Sequence, residues 1–172
     1  NAKKLSTIDI RCKELKIQDN CFSDCPSLST VNIRSEGKTI LCPCAFKNCT
    51  EIQNISFNNS SELCIGQAFK NCNNLESITV RKANKLIIGQ DCFKDLPNLK
   101  SIGLITNSII QEGNISTDCN LLTYINIQSK NGQITINNNT FKNCKLKNIT
   151  LIVPNIILSP YCFQEIKSLE SI

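Results

Sequence analysis

Eight times in 172 residues the chain repeats one six-residue frame, L-x-x-I-x-I, starting at Leu5, Leu28, Ile52, Leu75, Leu99, Leu122, Leu146 and Leu169. The starts are 23 and 24 residues apart in strict alternation. The fourth position is Ile8, Val31, Ile55, Ile78, Ile102, Ile125, Ile149 or Ile172, and the sixth is Ile10, Ile33, Phe57, Val80, Leu104, Ile127 or Leu151. Every one of these positions is apolar, while polar residues dominate between them. A fixed period of this size marks a solenoid, because one repeat cannot bury its own apolar face and stacked neighbours bury it instead. Residues 1–172 therefore read as a single repeat array.

The frame reads as a strand. Twenty-six Ile against four Ala is a composition for pleated surfaces, where β-branched side chains pack well, and not for helices. Five to seven polar residues follow each frame, then a second apolar pair: Leu15/Ile17, Ile40/Cys42, Leu63/Ile65, Leu86/Ile88, Ile109/Ile110, Ile134/Ile136 and Ile156/Leu158. Alternation of period two predicts a second short strand there, with Gly66 and Gly89 placed for a sharp turn after it. Next comes an aromatic anchor, Phe22, Phe46, Phe69, Phe93, Phe141 or Phe163, which uses six of the seven Phe in the chain. Two residues further on stands Asp24, Asn48, Asn71, Asp95, Asp118, Asn143 or Glu165. A carboxylate or amide at that point can accept backbone N–H groups in a short helical turn. One coil departs from the pattern: Ser116 takes the Phe position, and Ile115 is the neighbour placed to fill the missing volume.

Ile65-Gly66-Gln67-Ala68-Phe69-Lys70-Asn71-Cys72-Asn73-Asn74-Leu75-Glu76-Ser77-Ile78 resembles the repeat of the BspA-like leucine-rich repeat family, as does the segment from Ile88 through Phe93 to Ile102. The resemblance covers essentially the whole chain. It implies a curved leucine-rich-repeat solenoid of about seven to eight 23–24-residue coils, each with a parallel strand, a second short strand and a short helical turn. It also implies an adhesion-linked surface protein of the kind found in mucosal bacteria and parasitic protists. The family brings no catalytic motif, and fold fixes function poorly.

Enzyme chemistry finds little footing in the residues themselves. The chain has no His, which removes Ser–His and Cys–His nucleophile pairs and histidine metal sites. Cys42-Pro43-Cys44 and the Cys21/Cys25 pair lack the spacing of zinc ribbons, and the six Gly form no phosphate loop. The expectation is a non-enzyme with no cofactor and no metal. A net charge of +5 spread along the chain lacks the concentrated basic face of a nucleic-acid binder. No apolar run is long enough to insert this segment in a membrane. The chain opens on one frame and stops inside another, which suggests a segment of a longer chain without caps, with further repeats or a neighbouring subunit at both ends. Of the twelve cysteines, Cys25, Cys49, Cys72, Cys119 and Cys144 share one repeat position with Leu96 and Ile166. A position that accepts Cys, Leu and Ile alike is a buried apolar slot, so these five are expected to be core thiols. Cys12, Cys44 and Cys64 fall off the inward pattern and are expected nearer the surface.

Strand residues alternate sides, so the frame has an outward face. Its columns are Thr7, Thr30, Asn54, Ser77, Ser101, Tyr124 and Asn148; then Asp9, Asn32, Ser56, Thr79, Gly103, Asn126 and Thr150; then Arg11, Arg34, Asn58, Arg81, Ile105, Gln128 and Ile152. All three arginines lie in the third column. Arg11, Arg34, Arg81 and Tyr124 are the candidate contacts for a protein partner, since Arg and Tyr are favoured at recognition surfaces. Lys47, Lys70, Lys94 and Lys142 form a separate column that keeps the opposite side hydrated. Seven Asn-x-Ser/Thr sequons occur, at Asn48, Asn54, Asn58, Asn59, Asn114, Asn138 and Asn148. Glycans on Asn54, Asn58 and Asn148 would cover the outward frame face. Two readings stand: an adhesin-like binding module at the cell surface, or an intracellular cytoskeletal protein tiling along a filament or large assembly. A signal peptide or glycan mass would favour the first, and twelve titratable thiols without either would favour the second.

Overall fold

Apolar residues two apart in each frame must face one way in an extended chain, and stacking the coils in parallel brings those faces into one core. The computed structural model describes residues 2–172, with the backbone alone given for Asn59 and Ser60. Ten strands follow in chain order: β1 Thr7–Cys12, β2 Leu15–Ile17, β3 Thr30–Ser35, β4 Lys38–Leu41, β5 Asn54–Ile65, β6 Ser77–Ile88, β7 Ser101–Gln111, β8 Tyr124–Ile136, β9 Asn148–Ile152 and β10 Asn155–Leu158. The frame strands pair in parallel in the order β1, β3, β5, β6, β7, β8, β9. Ile55, Ile78, Ile102, Ile125 and Ile149 are successive partners along this ladder. The eighth frame adds an isolated bridge, Ser171 to Asn148. Leu28, Ile52, Leu75, Leu99, Leu122 and Leu146, the first frame positions of the inner coils, are all fully buried. The fold is the parallel-strand solenoid the repeat predicts.

The second strand is separate in the outer coils, as β2, β4 and β10. In β5 to β8 it runs on from the frame without a break. Corner residues pair there too, Ser60 with Ala83, Ala83 with Thr106 and Thr106 with Ser129, so the ladder is carried round the corner.

Two of the inward pairs differ from expectation in register, and a third, Ile156/Leu158 in β10, keeps register with Ile134 and Ile136 but is exposed. In β4 the buried residues are Thr39 and Leu41, while Ile40 and Cys42 are half-exposed. Thr39 sits between Leu15 and Leu63 in register. In β7 Ile109 points inward but Ile110 is exposed, and Gln111 takes the place aligned with Ile88. Both segments carry adjacent apolar residues, which allow either face. The neighbouring coils choose the register, because only one choice keeps parallel partners aligned. Thr39 is fully buried and its hydroxyl makes no hydrogen bond within the protein. An orphaned buried hydroxyl costs about 1–3 kcal/mol, so the isosteric Thr39→Val is expected to raise stability by about 1 kcal/mol. A lower urea midpoint for the variant would refute the register.

Gln111 is polar for a structural reason. Gly132 of β8 lies opposite Ile109 with φ +110° and interrupts the regular ladder. Beyond it the Gln111 carboxamide substitutes for the missing backbone bonds: Oε1 accepts the Thr135 N–H at 2.9 Å and Nε2 donates to Thr135 O at 2.9 Å and Gly113 O at 2.8 Å. Gly66 and Gly89, expected to supply a sharp turn, do not take positive φ.

The connecting segments hold a second correction. No helix forms among the described residues, and the expected helical turn is a run of turns instead. The Asp/Asn column is regular for another reason too: Asp24, Asn48, Asn71, Asp95, Asp118 and Asn143 all have φ of 56–61°. Asn and Asp tolerate that left-handed region better than other residues with a Cβ. Their side chains also bond from coil to coil. Asn48 Nδ2 donates to Asp24 Oδ1 at 2.6 Å, Asn71 Nδ2 to Asn48 Oδ1 at 2.8 Å, and Asn143 Nδ2 to Asp118 Oδ1 at 2.6 Å. The bond from Asn48 pulls the Asp24 carboxyl below its ordinary pKa. Glu165 does not adopt the left-handed conformation.

Phe46, Phe69, Phe93 and Phe141 are buried to within 2%. Phe22 and Phe163, in coils near either end, are half-buried. Phe22 stacks on Phe46 at 5.5 Å between ring centroids, and Phe46 on Phe69 at 5.8 Å. Ser116 keeps the Phe register, donating its N–H to Thr140 O at 3.3 Å, and fully buried Ile115 supplies apolar volume beside it. The five cysteines three residues after the anchor are buried. Cys49, Cys72 and Cys119 each donate S–H to the carbonyl of the Phe one coil back, Phe22, Phe46 and Phe93, at 3.0–3.1 Å. Cys12, Cys44 and Cys64 are half-exposed, and all twelve cysteines are free.

One ion cluster bridges the second strands. Glu62 lies in register between Lys38 and Lys85 and meets them at 2.6 and 3.2 Å. Hydrogen bonds from both ammonium groups hold its carboxyl at a pKa of about 2, against an ordinary 4.5. A depressed carboxylate pKa stabilises the fold above the ordinary value, and that contribution is lost as pH falls toward 2. Glu62→Gln should therefore flatten the decline in denaturation midpoint between about pH 4.5 and 2.5. An unchanged acid profile would show that the cluster carries no such linkage.

Candidate functional site

Strand alternation sends Thr, Ser, Asn and Arg out from β3, β5 and β6, and neighbouring coils place them side by side. The result is an open depression of about 720 Å³ over the middle frame strands. Thr30, Asn32, Asn54, Ser56, Ser77 and Thr79 line it, and Glu51 and Arg81 are its charged side chains. Ser77 Oγ donates to Asn54 Oδ1 at 2.6 Å, which fixes two of these groups before any partner arrives.

The sequence-predicted contacts are not gathered in one place. Arg11 and Arg34 are direct partners in the ladder and line a separate depression of about 480 Å³ with Lys13 and Glu36. Arg11 also approaches Asp9 at 3.7 Å. Arg81 lies two coils further on, next to Asn58, and belongs to the larger depression. Tyr124 is 42% exposed on β8 between Ser101 and Asn148. The four residues share one face, but they mark three stations along it. On the turn side, Lys70 and Lys142 are exposed while Lys47 and Lys94 are half-buried.

The sequons divide in the same way. Asn54, Asn58 and Asn148 are exposed on the frame face and Asn138 is exposed on the turn side. Asn48 both donates to Asp24 and accepts from Asn71, so its amide is committed to the ladder. Asn114 is half-buried and accepts from Asn137 Nδ2 at 3.3 Å. The side chain of Asn59 lies outside the described residues.

Two features escaped the sequence reading. Ile40, Cys64, Ile87 and Ile110 are successive ladder partners facing outward on the second strands, an apolar stripe hidden by the register ambiguity. A cleft at the corner between the frame strands and the second strands, lined by Lys82, Ile105, Gln128, Lys130 and Ile152 among others, joins residues from four coils. The one available signal was Ile105 and Ile152 standing in an otherwise polar outward column.

Chemically this surface offers rigid hydrogen-bonding groups and isolated charges. The buried thiols are the reverse of activated nucleophiles: burial pushes Cys49 and Cys144 up to about 11 and Cys72 to about 12. Among the described residues no helix is long and apolar enough to cross a membrane.

The sequence model of the BspA type leucine-rich repeat region matches residues 15–135 and 117–172, with six copies. No curated protein and no solved structure matches the chain.

Proposed function

Because the chain belongs to the BspA-type leucine-rich repeat family, whose solenoids are generally non-enzymatic and mediate protein interaction, we propose that a protein partner docks on the outward frame face and that the chain acts as an adhesin-like module at the cell surface. The observation that carries this reading is the polar depression over β3, β5 and β6. It is a strand-borne surface whose side chains are ordered before contact and so lose little entropy on binding. Arg81 stands in the depression, Arg11 and Arg34 stand beside it, and Tyr124 offers an aromatic anchor further along. Isolated exposed arginines act chiefly on association rate, so binding weakens as salt rises.

Quantitative capture of surface proteins by the native chain, by Arg11→Ser/Arg34→Ser/Arg81→Ser and by Lys47→Ser/Lys70→Ser/Lys142→Ser tests the assignment. The arginine variant is expected to lose the captured protein several-fold and the lysine variant to keep it. The opposite pattern places the working face on the turn side. Glycan mass on Asn54, Asn58 or Asn148 of the native protein would support the surface location, and would restrict docking to the part of the face left bare.

A further inference from the structure

The corner cleft has a chemistry of its own. Its volume is about 450 Å³, within the usual range of ligand-sized sites. Ile105 and Ile152 are 43% and 59% exposed, and Gln128 separates them in register on the middle strand. Two large apolar side chains thus form an open floor on a face that is otherwise largely polar. Lys82 and Lys130 are exposed at its edge. No lining residue is acidic, and among the described residues neither lysine is in an ion pair. The nearby ammonium group of Lys85 is already held by Glu62.

The backbone has been shaped to put Lys82 there. The register shifts between Arg81 and Ala83, which makes Lys82 the extra residue of a bulge, at φ 64°. Bulges re-aim side chains, and a lysine held left-handed stores strain that Asn or Gly would relieve. The hydroxyls in the wall are already engaged. The single Thr106 hydroxyl proton has Ala83 O at 2.9 Å and Ser108 O at 3.0 Å as acceptors, Ser129 donates to Asn131 O at 2.7 Å, and Asn107 Nδ2 donates to Asn84 Oδ1 at 3.0 Å. What the cleft leaves for an occupant is an apolar floor and an unpaired cationic rim.

We propose that this cleft docks a peptide segment of a partner that pairs apolar side chains with flanking carboxylates. The floor would take Leu-like side chains, and Lys82 and Lys130 would take the acids from either side. The assignment deepens the protein-binding reading and rests on it in that the occupant is a peptide, but it uses none of Arg11, Arg34, Arg81 or Tyr124.

Amide chemical shifts of the ¹⁵N-labelled chain provide the test. The probe is the capped peptide Ser-Glu-Leu-Leu-Asp-Ser, with Ser-Lys-Leu-Leu-Lys-Ser and decanoate as comparisons. The acidic peptide is expected to shift residues 82–84, 105–107, 128–130 and 152 in a saturable way, and the lysine peptide is expected to leave them unmoved. Lys82→Asn/Lys130→Ser, chosen because Asn tolerates the left-handed backbone, should weaken binding about five-fold or more with the rest of the spectrum preserved. No shift at the cleft, equal binding by the lysine peptide, or perturbation by decanoate alone would each overturn the assignment. A silent titration with the arginine-dependent capture intact defeats the cleft only. Loss of arginine dependence with a positive titration defeats the wider face assignment only.

Discussion

Phe93→Ala is expected to cost about 3–5 kcal/mol, seen as a lowered denaturation midpoint, whereas Lys70→Ala, one residue after the anchor in a neighbouring coil, should cost under about 0.5 kcal/mol. Phe93 is fully buried, and its carbonyl accepts both Ser116 Oγ at 3.3 Å and Cys119 Sγ at 3.0 Å from the next coil. That next coil has Ser116 where a ring would stand, so no aromatic neighbour on that side can shift to refill the space. The backbone around it cannot collapse either, since Asp95 N–H is tied to Thr117 O at 3.1 Å. Truncation therefore removes the transfer energy of the ring and leaves most of the cavity. In a stack where each coil touches only its neighbours, the loss weakens two interfaces together. Comparable losses for the two variants would mean that the inward register is wrong.

Gly132→Ala should be nearly as damaging, at about 3 kcal/mol or more. A Cβ at Gly132 would stand 2.2 Å from Ile109 O and 3.0 Å from Ile109 Cγ2, with φ at +110°. Side chains essentially never occupy that conformation, whose strain alone is about 1–3 kcal/mol. The obstacle is also backbone, which cannot swing aside as a side chain can. Relief requires β8 to move off β7, and the Gln111–Thr135 hydrogen bonds lie directly beyond the contact. Faster amide exchange at Thr135 should accompany the loss. Gly103→Ala is the control: its added Cβ meets only Thr79 Cγ2 at 4.0 Å, so stability should change by less than about 0.5 kcal/mol. Equal behaviour of the two alanines would refute the strained corner.

The candidate sites divide along the same line as the fold. The frame face was legible, because alternation names its residues once the strand is known. The distribution of those residues was not. Arg11, Arg34 and Arg81 share a column, yet Asn58 separates the third from the first two, and the depression forms around Thr30, Asn54 and Ser77 instead. The corner cleft was hidden further still, since Lys82, Ile105 and Ile152 come together only through a bulge and four stacked coils.

What the sequence determined by itself is whatever recurs at a fixed slot. The frame positions, the Phe anchors and the apolar cysteine column recur because each coil must present the same inward residue to its neighbour, so the period records the core directly. The Asp/Asn column recurs as faithfully, but its reasons, a left-handed backbone and an amide ladder, emerge only in three dimensions. Tertiary structure alone decided the second strand. Between the sixth frame position and the first inward residue of the second strand lie four residues from Ile10 to Leu15, five from Ile33 to Thr39 and six from Ile127 to Ile134. Corners of unequal length erase the phase of the alternation, and adjacent pairs such as Ile40-Leu41 and Ile109-Ile110 then satisfy either register equally well. Parallel pairing with the coils above and below removes the ambiguity, because the wrong choice would slip the strand by one residue and turn every side chain to the other face.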